Sequence, residues 1–408
     1  MRIWMVPKLQ IYAGDPEPLA DSPASVHFWN IHRIAYLDDP ALPEAVNRHW
    51  VVADDFGIQL VSLRGEIRPW LGAASRRLPG PNLAHLPFLP GAFSCRALAA
   101  RPATSAASNP YHLVYSETPA HSQAGPSPQI FALEPDGSRR LLAGVPGITG
   151  FRDGPGAKAL FGEVVDLAMD REGDIYVLDR GNRALRLISP EGQVSTLAGG
   201  PRAKGPFIHP MAMALDAKGN VYVADTDGIH RLAPGGELRR ILGAGDRHGS
   251  LGAMEPPPHD PAPRMPSDPI NGVHLPGGLG VHGRNLFIAD TVTCTIRVLD
   301  LDTGTLHTLA GSPEETRTRR GPLGYYVQGR PPAECAALAY PGSIAFSTDG
   351  ICVVGVGTCL AELDMPPFVS PARADLADRR DRNGKDYPGA GEGAVFNFTP
   401  KGTSGPGT

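Results

Sequence analysis

Residues 173–200 read GDIYVLDRGNRALRLISPEGQVSTLAGG, and a diluted copy, GNVYVADTDGIHRLAPGGELRRILGAG, begins at Gly219. Internal repetition constrains a fold more tightly than composition does. Each unit is one supersecondary element that buries its apolar faces only against its neighbours. The clearest marker of the unit is its stop, an apolar pair followed by Ala-Gly or Gly. It occurs at Gly14, Gly72, Gly144, Gly199, Gly245 and Gly311.

Between stops the order is constant. In 205–245, MAMALD, NVYVAD, GIHRLA and ELRRILG are four Val/Ile/Tyr-rich runs separated by Gly-containing turns. Units 27–72, 145–199 and 272–311 follow the same order, and 92–144 is looser. Four short strands per unit describe a propeller blade. After Gly311 the chain offers SIAFS, ICVVGV and, beyond an expected insertion at 358–392, AVFNFTPKG, three strands without a fourth. The missing strand is MRIWMVPKLQIYAG at the other end. The expectation is an all-β, six-bladed β-propeller over 1–402, its last blade formed by 338–402 plus 1–14, with 403–408 a flexible tail. Closure of the ring leaves no unpaired sheet edge between first and last blades.

Composition agrees and excludes little else. The 49 Gly and 43 Pro suit many tight turns, and 41% hydrophobic residues suffice for a core. A formal net charge of −4 lacks the basic footprint of a nucleic-acid binder. Five cysteines without a C-x-x-C pair argue against a zinc ribbon or a redox motif, and the spacing of Cys352 and Cys359 across a strand and bend argues against a disulfide. The first residues carry no signal-peptide core, and no run reaches the roughly 18 apolar residues of a membrane span. The reading is of a soluble, monomeric, cytoplasmic chain.

The units resemble NHL repeats. The residues that carry the resemblance are Gly219, Tyr222, Val223, Ala224 and Asp225 in one copy, and Asp290, Ile296 and Arg297 in another. The best copy has Asp179, Asn182 and Arg186, preceded by GFRDGPGAKALFGE, which looks like the family's bacterial inter-blade linker. In the last blade the Asp position falls on Val356. The resemblance implies a six-bladed propeller. It also implies a choice of roles, because some NHL proteins are metal-dependent lyases with histidine ligands near the channel and others bind RNA, while related six-bladed hydrolases use calcium there. The repeated Asp54, Asp179, Asp225 and Asp290 are expected to accept backbone N–H bonds within the bend between second and third strands.

In such a blade the bends between second and third strands share one face with the inter-blade links. The long segments, 73–91, 118–129, 145–162, 246–271, 312–337 and 358–392, are all expected there, whereas the other face has short turns such as AKGN and PEGQ. Loops beyond about 15 residues are uncommon without a role or disorder, so this face is expected to do the binding. Arg317, Arg319, Arg320 and Arg330 surround Tyr325 and Tyr326 in one such link. Guanidinium forks beside aromatics suit an anionic ligand or an acidic protein surface.

The residues opening the first strands line the channel mouth: Asn30, His32, Glu163, Asp166, His209, His274 and Tyr340. Imidazoles and carboxylates converging on an axis would hold a divalent metal. The histidines are out of register, however: His209 directly precedes Pro210 and His274 lies two before Pro276. No cofactor and no catalytic residue are therefore assigned. The leading reading is a non-catalytic scaffold for a protein or other macromolecule, with neither membrane nor nucleic acid as partner. The alternative is a metal-assisted hydrolase or lyase at the channel mouth.

Overall fold

The structure is a computed structural model. It describes residues 9–14, 28, 31–54, 57–72, 93–103, 105, 109–119, 127–201, 205–243, 272–311, 338, 340–357 and 359–363. All of these lie in the compact unit Met1–Pro371. They form six antiparallel sheets whose strands run in the order first, second, third, fourth. The first strands are Arg33–Leu37, Leu98–Ala100, Val164–Met169, Ala212–Leu215, Pro276–His282 and Pro341–Phe346. Each packs on the first strands of the blades before and after it, and the sixth packs back on the first. That circuit is the axial channel of a six-bladed β-propeller.

Each sheet is apolar on both faces, and six separate hydrophobic clusters fill the six spaces between neighbouring blades. Between blades three and four, for example, Leu178 and Leu185 meet Phe207, Met213 and Val223, all buried. The blades hold together through this burial, at about 25 cal/mol for each Å² of apolar surface removed from water.

The ring closes as the sequence predicts, in that Leu9–Gly14 is the fourth strand of blade six, antiparallel to Cys359–Leu363. The third strand of that blade is a correction. It is Cys359–Leu363, reached by a short bend after Gly357 at φ 59°, and not the run at 394–402. The run CLAEL gives a weak strand signal because its alternation is short and interrupted by Glu362, which is nevertheless buried in the sheet. The expected bend at 358–392 therefore does not join the second and third strands, which pair from Val356 and Cys359 onward. Residues 364–408 lie outside the described residues.

Blade two gains a first strand, Leu98–Ala100, with Phe93–Ser94 pairing beside it. In blade four the stop is Gly243, which pairs with Gly228, rather than Gly245. The stop requires glycine where the chain turns away from the sheet. Gly199 has φ 82° and Gly311 φ 93°, and a Cβ there would sit 2.1 Å from Arg183 O and 2.2 Å from Cys294 O respectively. Cys95, Cys294 and Cys352 are buried free thiols. Among the described residues no helix is long and apolar enough to cross a membrane.

Candidate functional site

The repeated aspartates do more than cap a bend. Asp179 accepts the amides of Gly162, Glu163 and Asn182. Asp225 accepts those of Ile208, His209 and Thr226, and Asp290 those of His274, Leu275 and Thr293. One fully buried carboxylate therefore ties the incoming link to the bend of the same blade. These bonds also set the register of the mouth residues. Glu163 and His209 occupy equivalent positions, but the equivalent in blade five is Leu275, and His274 stands one place earlier. Val356 takes the aspartate's place in blade six, opposite Pro341 and Cys359.

One position further in, the pairing registers place Arg33, Asp166, Ala212, Gly278 and Ser343 at matching points of five first strands. Ala97 stands at that level in blade two, its carbonyl accepting the Ser116 amide. The small residues leave room for one long side chain, and Arg33 fills it. Its Nε makes an ion contact with Asp166 Oδ1 at 2.8 Å. Its Nη1 donates to His32 O at 2.7 Å and Gly277 O at 3.4 Å, and its Nη2 to Met211 O at 2.7 Å. Asp166 Oδ2 accepts the Met213 amide at 2.8 Å, and Oδ1 the Leu167 amide. Arg33 thus bridges blades one, three, four and five across the mouth. Burial pushes the Asp166 carboxyl above the usual carboxylate range, opposed by Arg33 and the two amides. Beneath the bridge lies a cavity of about 220 Å³ whose apolar walls include Leu98, Met169, Met213, Leu215, Leu279 and Ile344.

Asp166 is therefore committed to Arg33. Glu163 is held by Arg180 and lies 3.5 Å from Arg96. Arg180 keeps its carboxyl below the usual range. His209 is exposed, the His32 amide donates to Ala53 O at 2.9 Å, and Tyr340 is 51% exposed at φ 49°. His274 Nδ1 lies 3.8 Å from Asp290 Oδ2. The convergence of these histidines and carboxylates considered from the sequence does not occur. Among the described residues, only Asp225, Asp227 and His230 form a trio of His, Cys, Asp or Glu whose ligand atoms all lie within 4.8 Å of one another. Asn30 lies outside the described residues, as do Arg317, Arg319, Arg320, Tyr325, Tyr326 and Arg330. Sequence reading missed Arg33, although it is a charged residue at the start of an otherwise apolar first strand, followed by Ile-Ala-Tyr-Leu.

At the opposite end of the channel strand of blade five, His282 stacks on Phe346 with ring centroids 5.1 Å apart. Its Nε2 is buried without a hydrogen-bond partner, and burial lowers its pKa from 6.5. A lowered histidine pKa means that the unfolded chain binds more protons, so stability falls as pH drops through 6.5 and below. Thermal unfolding of the wild type against His282→Phe between pH 5 and 8 is expected to show a smaller acid-side loss in the variant. Equal losses would remove His282 as the cause.

No protein-family model matches the chain, and no curated protein matches it in sequence. Solved structures do resemble it. A protein of unknown function from Bacteroides thetaiotaomicron superposes with TM-score 0.55 at 12% identity, covering 88% of this chain and 76% of that one. An auxiliary nutrient binding protein from Bacteroides ovatus gives TM-score 0.54 at 13% identity, over 88% and 77%. A gluconolactonase from Xanthomonas campestris gives 0.48 at 15%, over 84% and 88%. The structural neighbours are six-bladed β-propellers, and identities this low carry the fold alone.

Proposed function

We propose that this NHL-type propeller is a non-catalytic binding scaffold holding a protein or other macromolecule on the face that carries the channel mouth. The observation behind the proposal is the character of that face. Ile208, Val292 and Tyr340 are 59%, 60% and 51% exposed. Each stands in a link or bend at the mouth end of its blade. Of the acid–base groups beside them, Asp166 is paired with Arg33, Glu163 with Arg180, and His274 lies against Asp290, while the His209 side chain is exposed. Exposed apolar side chains rimmed by polar groups suit a protein partner better than a reacting small molecule. The long links at 246–271 and 312–337, with the arginines and tyrosines named above, are proposed to widen the same surface.

The test uses the whole chain as bait and affinity measured with the purified partner. Ile208→Arg with Val292→Arg is expected to weaken binding at least tenfold. The triple replacement of Arg317, Arg319 and Arg320 by Ala is expected to weaken it while leaving the melting temperature within about 2 °C, since solvated charges in a long link contribute little. Undiminished affinity in both variants would overturn the reading. Turnover of a small molecule abolished by His209→Ala would replace it with the enzyme alternative.

A further inference from the structure

Blades three, four and five carry the same buried aspartate, and two of them place a fully buried arginine at the same position of the third strand. In blade three Arg186, opposite Val177 on the second strand, is fully buried and lies 3.4 Å from Asp179. In blade five Arg297, opposite Ile288, is fully buried at the same position. In blade four that position, opposite Val223, is His230. Asp225 accepts bonds only from neutral donors, the amides of Ile208, His209 and Thr226 and the Thr226 hydroxyl. No ion pair to Asp225 exists among the described residues. The blade also adds a second carboxylate. Asp227 sits in the bend with Oδ1 2.7 Å from His230 Nε2, and its one cationic neighbour among the described residues beyond His230 is the half-exposed Arg240, at 3.4 Å.

Exchanging the internal cation for an imidazole and adding a carboxylate leaves this knot short of positive charge. A buried carboxylate is costly without compensation. The arrangement nevertheless has the makings of compensation from outside, because oxygen and imidazole donors suit first-row divalent cations. We infer that Asp225, Asp227 and His230 form a binding site for one such cation, of the zinc, manganese or cobalt type. Asp225 is fully buried, the His230 side chain is 8% exposed and that of Asp227 25% exposed, so the ion enters past Asp227. Phe207 packs edge-on against the imidazole at 5.7 Å between centroids and restricts its rotation. Ligand atoms about 2.0–2.2 Å from a zinc ion stand no more than about 4.4 Å apart. The observed spread of up to 4.8 Å closes with a small movement of the Asp227 side chain. The proton that Nε2 donates to Asp227 is released to solvent or carried by Nδ1 instead, freeing the Nε2 lone pair for the metal, and water completes the coordination. The site lies on the blade-four bend, away from the axial bridge.

The test is titration of chelator-treated, full-length protein with Zn²⁺ by calorimetry and with Co²⁺ by visible absorption. The expected result is one equivalent bound, with cobalt d–d bands appearing in step. Asp227→Asn and His230→Gln are each expected to weaken binding at least tenfold, with Asp227→Asn keeping the wild-type melting temperature of the metal-free protein. Glu163→Gln, at the channel mouth, is expected to bind like wild type. Absence of saturable binding overturns the site, and so does binding undiminished in Asp227→Asn. Loss in Glu163→Gln with retention in Asp227→Asn would move the ion to the channel mouth. Failure here leaves the mouth-face reading intact, since that reading needs no metal.

Discussion

Removal of residues 1–14 is expected to abolish soluble expression, or to lower the melting temperature by more than 10 °C if any soluble protein survives. The deleted strand supplies five register pairs, from Leu9–Leu363 to Gly14–Cys359. Ladder hydrogen bonds contribute about 1 kcal/mol net each, so roughly 5 kcal/mol is withdrawn from a domain whose whole margin is about 5–15 kcal/mol. The loss is also qualitative. Cys359–Leu363 becomes an open edge, and open edges pair with other chains. Soluble yield and a thermal scan decide the matter, and a truncated chain with an unchanged transition would refute the account of ring closure.

Arg186→Ala is expected to destabilise the protein by about 3–5 kcal/mol, the usual cost of leaving one member of a buried ion pair alone. The guanidinium is fully buried. It donates to Leu160 O at 2.6 Å, Arg152 O at 2.7 Å and Asp153 Oδ1 at 2.6 Å, and reaches Asp179 Oδ2 at 3.4 Å. Phe161 and Phe151 flank it, with centroids 4.6 and 5.0 Å from its central carbon. It thus clamps the link 151–161 onto blade three, and Asp179 loses its counter-charge when it goes. At roughly 2–4 °C per kcal/mol for a mid-sized domain, the melting temperature should fall by about 10 °C. Lysine should not restore it, because one ammonium cannot reproduce a planar fork. A fall under about 2 °C would show that the clamp is dispensable.

These two sites differ in how far the sequence announced them. Arg186 sits in the clearest copy of the repeat, seven residues after its aspartate, and Leu9–Gly14 is an apolar run ending in the stop glycine. The Asp bonds were legible as far as the bend. Their second grip, on the link entering the same blade, was not, because the link's length differs from blade to blade. Histidines looked like candidates at the mouth because they stand near the first strands. Their offset was legible too, since His209 directly precedes Pro210 while His274 lies two before Pro276.

What the sequence determined by itself is the repeat: strand order within a blade, six units, five of the six stop glycines and closure by the N-terminal strand. All of these follow from period-two apolar patterning and local turn chemistry, which act over a few residues. Only the tertiary structure decided what faces the axis. Arg33 meets Asp166 because the first strands of blades one and three line the same channel, with Ala97, Ala212 and Gly278 at the same level leaving space between them. It also decided that Cys359–Leu363 is the third strand of blade six, and that Asp225, Asp227 and His230 stand together without the guanidinium found in the neighbouring blades. Such juxtapositions depend on register between strands distant in the chain, and one residue of slip turns every side chain to the other face.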